Sequence, residues 1–253
     1  MIDHIKTEQV INQPISETDE LFRQNLLLNE IKGVETNFYI IKKQQKYTFT
    51  PLNRRARVLI ILSNSGVVYS NNCSYKLKEM AILASLDNST VTIESTSNHV
   101  ELIEVLMDLT SDDLEKTNYT NQGEFFFKHF SEGATYREKV KSSKTINRTL
   151  LPVNVIPRMV MGSVQTEGPD QVKAHSHPML EQLFWGLPGN HCLVKADEQE
   201  KQFGEKTLLH IPHGSKHGIK VESGKHVHYL WLDFFQDLES VSYIDDTHLP
   251  DKE

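Results

Sequence analysis

Cysteine is scarce in this chain. Its 253 residues contain two, Cys73 and Cys192, far apart in sequence. Two isolated cysteines make neither a disulfide framework nor a zinc-finger spacing. Long apolar runs are missing as well. The longest aliphatic run, Val58-Leu59-Ile60-Ile61-Leu62, is much too short to span a bilayer, so no membrane partner is expected. Positive charge is in deficit. A formal charge of -7 argues against a nucleic-acid partner, because such domains present a basic face. The one basic cluster, Arg54-Arg55-Ala56-Arg57, leads straight into the aliphatic run and reads as a solvated loop. The first ten residues show no basic start followed by an apolar stretch, so no signal peptide is expected and a reducing cytoplasm is the expected home.

What is present is β-structure. Hydrophobic residues make up 38% of the chain, enough for one or two cores, and the strand rhythm favours two. Residues 17–31 read as a short helix or a first strand. From Val34 onward, short β-rich runs follow one another at Phe38–Ile41, Val58–Leu62, Val67–Tyr69, Ala81–Leu83, Val91–Glu94 and Val100–Leu106. Turn signals separate them at Asn64-Ser65-Gly66, Asn71-Asn72 and Asp87-Asn88-Ser89. Many short strands at near-regular spacing predict a sandwich or barrel. Residues 108–150 break the rhythm with the charged stretches Ser111–Lys116 and Glu132–Ser143 and the polar Tyr119–Gly123. A second series then begins: Arg158–Gln165, Gln182–Gly186, Cys192–Ala196, Thr207–Ile211, Gly218–Val221 and His226–Phe235. The two series match in size and rhythm, which suggests a duplicated barrel.

Histidine is unevenly spread. Eight of twelve fall between His175 and His228, and two motifs stand out among them. In His175-Ser176-His177, residues two apart on a strand share a face and aim two imidazoles at one point. In Pro212-His213-Gly214-Ser215-Lys216-His217, a tight turn delivers a third histidine from another strand. Glu181 and Gln182 lie just beyond the first motif. Neighbours on a strand face opposite ways, so only one of the two can join the histidines. Imidazole suits zinc, iron, nickel, copper and manganese.

These motifs resemble the two signatures of the cupin superfamily. The first runs from Gly168 through His175-x-His177 and Glu181-Gln182 to Gly189; the second runs from Gly204 through Pro212-x-Gly214-x-x-His217. There are departures. The gap from Gly168 to His175 is one residue longer than usual, the gap from Gly204 to Pro212 two longer, and Val221 stands where the family often has Asn. The resemblance covers roughly residues 155–235. Gln182 keeps the family's spacing to Gly189. Small cupins that open unsaturated uronates use Gln here, and the Glu181-Gln182 pair is similar to theirs, which favours Gln182 slightly over Glu181. No comparable motif stands in the first series.

The resemblance implies an all-β chain of tandem cupin jelly-roll barrels. Residues 1–107 form a degenerate barrel without metal, 108–150 a helical or irregular connector, and 151–253 the metal-bearing barrel. It implies one divalent transition metal (zinc, manganese, nickel or iron) on His175, His177 and His217 with Gln182 or Glu181. The implied activity is metal-dependent chemistry on a small polar substrate, foremost isomerisation or tautomerisation of a sugar or sugar acid. Ketouronate isomerases also pair a metal-free first barrel with a metal-bearing second. A metal-dependent dioxygenase and a non-catalytic ligand sensor are the alternatives. Homodimers are common in the family and one is expected here. His226 and His228, a second His-x-His, are the first candidates for a catalytic base, although polar residues on one face of a late strand are the commoner explanation. Phe184 is expected to wall the pocket, and Cys192 to be a small core residue. Lys173 offers a cation to an acidic substrate, although exposed lysines are common.

Overall fold

A computed structural model describes residues 5–11, 20–70, 73–86, 90–96, 98–116, 125–242 and 249–250. The turns at Asn71-Asn72 and Asp87–Ser89 and the polar stretch Tyr119–Gly123 lie outside the described residues. The chain divides into two compact units. One comprises residues 10–132 with 154–157; the other comprises 1–9, 133–153 and 158–253.

The first unit is a two-sheet sandwich. Its six-stranded sheet runs in the order Phe126–His129, Ala81–Ser85, Arg55–Ile61, Val100–Asp108, Val34–Ile41, Leu21–Leu26. Its four-stranded sheet runs Lys46–Phe49, Val91–Ser95, Gly66–Ser70, Cys73–Leu77. The ambiguous 17–31 segment thus contains a strand, Leu21–Leu26. Alternate residues of both sheets meet in one core: Tyr39, Leu59, Ile61 and Leu102 from the larger sheet against Val68, Leu77, Val91 and Ile93 from the smaller. Burial of these β-branched and aromatic faces is what a period-two pattern predicts.

The second unit repeats the plan. Its larger sheet contains Thr207–Ile211, Leu180–Gly186, His226–Phe235, Met159–Glu167 and Ile146–Ile156 in that order, and its smaller sheet runs Asp170–His175, His217–Val221, His191–Ala196, Gln199–Gly204. The central strands occur in the same connectivity order as in the first unit, which is the duplication read from the strand rhythm. Val164, Phe184, Leu209, Tyr229 and Trp231 pack against Val172, Cys192, Val194, Phe203 and Ile219 in a single core.

The unit boundaries differ from the sequence reading at two places. Lys6–Gln9 pairs with Thr207–Ile211, so this N-terminal strand completes the second unit. The 108–150 stretch is no simple connector. Ser111–Lys116 is a short helix whose start is closed by Thr110 and Asp113 bonding each other's backbone N–H. Phe126–His129 pairs with Ala81–Ser85 in the first unit, and Ala134–Arg137 pairs with Ile146–Ile156 in the second. Amphipathic strands this short and charged carry too little apolar pattern to be distinguished from loop.

Candidate metal centre

The site grows from the junction of Asp170–His175 and His217–Val221, whose register places His175 opposite His217. The register shifts between Val172 and His175, an irregularity of the kind that re-aims side chains. Gly218 permits the close approach of the two strands, since a β-carbon there would lie 2.8 Å from the Val172 carbonyl oxygen. The turn preceding His217 closes by Ser215 N–H donating to the Pro212 carbonyl at 3.1 Å, with Gly214 at φ +71°, a backbone conformation open to glycine without strain. The sequence motif is thus a working turn.

His177 lies just past the strand end. The ring centroids of His175, His177 and His217 are 4.8, 4.7 and 5.4 Å apart pairwise, and their ligand-capable nitrogens all lie within 4.8 Å of one another. Nitrogens each about 2.0–2.1 Å from one ion can be at most about 4.2 Å apart, so a small closure lets the three share a metal. His175 Nδ1 donates to the Lys173 carbonyl at 2.7 Å, and His217 Nδ1 donates to the Ser215 carbonyl at 3.3 Å. A carbonyl only accepts, so Nε2 of each ring keeps its lone pair for a metal. Burial pushes the His217 pKa down to about 3, helped by the neighbouring His175 and His177, and burial lowers His175 too. Neutral imidazoles are what a cation requires.

Gln182 and Glu181 part ways as neighbours on a strand must. Gln182 faces the core, opposite Asp233 and Ile211 in register. Its Nε2 donates to Asp233 Oδ1 at 2.8 Å, while its Oε1 is buried without a hydrogen-bond partner. A buried orphan acceptor costs roughly 1–3 kcal/mol, and a metal ion would satisfy it. Phe184, two residues on, packs its ring 6.0 Å from that of His217 and so walls the site. Glu181 is turned to the other face, where His210 Nε2 meets its Oε2 at 2.7 Å. Glu181, the other ligand candidate, is thereby turned away from the face that carries Gln182, and its partner His210 is 3% exposed.

His226 and His228 also require correction. They alternate with Val227, Tyr229 and Trp231, which lie in the core with Phe184. The two histidines therefore face away from the cluster, and His226 Nδ1 contacts Glu167 Oε1 at 2.7 Å. Lys173 is exposed. Cys192 is buried in the core, as expected, and burial lifts its thiol to about 12.

Four residues that the sequence reading missed stand in this interior. Asp233 is buried, and burial raises its pKa to about 7 despite the Gln182 hydrogen bond. Tyr136 lies in the same core cluster. Its hydroxyl donates to Glu138 Oε1 at 3.1 Å, and Lys141 Nζ donates to the same oxygen at 2.6 Å. Glu138 and Lys141 act electrostatically on both His175 and Asp233, and Lys173 N–H donating to the Val140 carbonyl at 3.1 Å ties their turn to the strand that ends in His175. A carboxylate inside an otherwise apolar strand was a readable signal for Asp233. Nothing marked Glu138 or Lys141 within a charged stretch.

In the first unit, Arg57 stands four residues before its strand end at Ile61, as Gln182 stands four before Gly186. Its Nε donates to Glu104 Oε1 at 2.9 Å, and Asn37 and the Tyr39 hydroxyl donate to Glu104 Oε2. The basic cluster is thus no solvated loop at this end: Arg57 is 8% exposed. A guanidinium takes the strand position that carries the carboxamide in the second unit.

No protein-family model and no curated protein sequence matches the chain. Solved structures do. A cupin 2 conserved barrel domain protein from Leptotrichia buccalis matches with a TM-score of 0.61 at 14% identity, over 91% of this chain and 96% of that one. An oxalate decarboxylase from Lactobacillus farciminis, in a formate complex, matches with a TM-score of 0.69 at 9% identity, over 94% and 87%. The fold is the two-cupin fold. An IolB-like protein from Salmonella typhimurium shares it, with a TM-score of 0.64 at 13% identity over 84% and 90%. In this two-barrel fold the histidine cluster sits in the second barrel, and among the described residues it is the one group of histidine, cysteine and acidic side chains placed to hold a metal. No helix among the described residues is long and apolar enough to cross a membrane.

Proposed function

We propose that the second barrel is a metal-dependent cupin enzyme that isomerises or tautomerises a small polar molecule of the sugar or sugar-acid class. The observation that carries the reading is the convergence of three imidazoles, two with Nδ1 tied to backbone carbonyls, on the side of the barrel where Gln182 Oε1 lies buried without a partner. His175, His177 and His217 would hold a divalent ion, with Gln182 Oε1 as the fourth protein ligand. A bound ion supplies Lewis acidity, polarising a carbonyl and an adjacent hydroxyl. The rest falls to the chain. Phe184 and Tyr229, 4.8 Å apart, exclude water from the inner wall. Asp233 fixes the carboxamide. Glu138 takes over the proton-transfer role first given to His226 and His228: its carboxylate removes a proton from the hydroxyl-bearing carbon beside the carbonyl and returns it to the former carbonyl carbon, while the hydroxyl proton passes to the former carbonyl oxygen, with no net redox change.

The test is metal content. Gently purified wild type, without tag or chelator, should carry about one divalent ion per chain, a stoichiometry set by the one cluster among the described residues, and a His175→Ala/His217→Ala variant should carry none. Two metal-free preparations that take up no added metal would sink the enzyme reading and leave a ligand-binding double barrel.

A further inference from the structure

Lys141 is an unusual lysine. Its side chain is 7% exposed and that of its partner Glu138 13%. Lysines are almost never buried so deeply without partners for their charge. An ammonium has three N–H donors. Among the described residues, Lys141 has one acceptor, Glu138 Oε1. The Tyr136 ring lies 6.0 Å from Nζ and offers its π-face but no oxygen. Two donors of a buried cation are therefore left to something else.

The backbone fixes where that cation stands. Lys141 N–H donates to the Glu138 carbonyl at 3.3 Å, and Lys173 N–H donates to the Val140 carbonyl at 3.1 Å. The second bond ties the Glu138–Lys141 turn to the strand that ends in His175. Lys141 also contributes to the electrostatic environment of His175, His217 and Asp233. It further lines a polar cavity of about 190 Å³ with Arg137, Glu138, Ser142, Ser143, Thr145 and Asn147, a lining that does not include the three histidines. Liquid water takes about 30 Å³ per molecule, so the cavity has room for a molecule of a few heavy atoms.

Charge bookkeeping points the same way. Three imidazoles and a carboxamide bring no negative charge to a divalent ion. Glu138 is already matched by Lys141. The loaded interior would carry an excess of positive charge that Asp233 alone cannot cancel, and a low-dielectric interior strongly favours a compensating anion.

We infer that Lys141 is the carboxylate-binding residue of the metal site, and that the substrate is a small organic acid whose carboxylate accepts from Nζ while its neighbouring oxygen reaches the metal. This inference rests on the metal reading above and narrows its substrate class. Lys141 grips the acid group by charge-assisted hydrogen bonds, and Glu138, sharing the same ammonium, is held next to the carbon to be deprotonated.

The experiment is a titration of cobalt(II)-loaded protein with sodium glycolate and its neutral isostere glycolamide, followed through the cobalt visible spectrum, with metal stoichiometry measured in parallel. Lys141→Met should weaken glycolate binding by about tenfold or more, as loss of a charge-assisted bond does, while changing glycolamide binding by less than about twofold and leaving the cobalt stoichiometry intact. Lys141→Arg should recover most of the glycolate affinity. Lys141→Met strands a buried carboxylate and can fail to fold. The Glu138→Gln/Lys141→Met pair removes both charges and should show the same selective loss. Glycolate affinity that is unchanged in these variants, or no glycolate binding to cobalt-loaded wild type, overturns the inference while leaving the metal site standing. Wild type that takes up no cobalt overturns the metal reading first.

Discussion

The carboxamide of Gln182 donates through Nε2 to Oδ1 of Asp233 at 2.8 Å, and that bond decides which way the amide faces. With nitrogen committed to the carboxylate, Oε1 is left buried with no partner. Asp233 thereby acts as a positioning residue. Replacing it by Leu should lower metal affinity by about 10–100-fold, the usual cost of losing a support behind a ligand. Gln182→Ala should lower it too, and Glu181→Ala, on the opposite face with His210, should leave it unchanged. Chelator competition measures all three, and equal losses at Gln182 and Glu181 would refute the assignment.

The outward pair His226 and His228 should be dispensable for the metal. A His226→Ala/His228→Ala variant is expected to keep wild-type metal content by elemental analysis, because both side chains face away from the core that holds Tyr229 and Trp231. Loss of the ion in this variant would contradict the strand parity.

Two buried groups should tilt the pH dependence of stability in opposite directions. His217 is held down to about 3 from an ordinary 6.5 by burial. Between those values the unfolded chain binds the extra proton, so this group destabilises the metal-free fold as pH falls through that window. Asp233 is raised to about 7 from 3.8, again by burial first. There the folded state binds the extra proton, so stability is lost as pH rises from about 4 to 7. Measured against wild type, metal-free His217→Gln should gain relative thermal stability towards acid, and Asp233→Asn should gain it towards neutral pH. Melting curves at pH 4.5, 6 and 7.5, a range set by these two windows, check both signs.

Removing Arg57 should destabilise the first barrel by about 3–5 kcal/mol, because Glu104, 3% exposed, would be left buried without its cationic partner. Arg57→Met/Glu104→Leu should recover a large part of that loss. Denaturant melts report both, and metal content should not move in either variant.

How much of this was legible beforehand follows from the range of each signal. The tandem all-β plan came from short apolar runs broken by turn residues, a local pattern that any chain displays in its own order. The histidine cluster was legible for a similar reason. His175 and His177 are two apart, and Pro212 and Gly214 build the turn before His217, so short-range geometry sets most of the aim. Only the folded chain could choose between Gln182 and Glu181. Their adjacency offers two faces, and the core facing Asp233 and Ile211 selects one. The same parity argument moved His226 and His228 out of the site once Val227 and Tyr229 were seen inside. Arg57, Glu138 and Lys141 lay further still from prediction. A charged residue in sequence reads as surface, because leaving water is costly; what cancels that cost is a partner, and for Arg57 the partner is 47 residues away. Sequence by itself thus determined the strands, the duplication and the three imidazoles. Tertiary structure decided which of Gln182 and Glu181 faces the core and which charges survive burial, since both depend on groups that only pairing across sheets brings within a hydrogen bond's length.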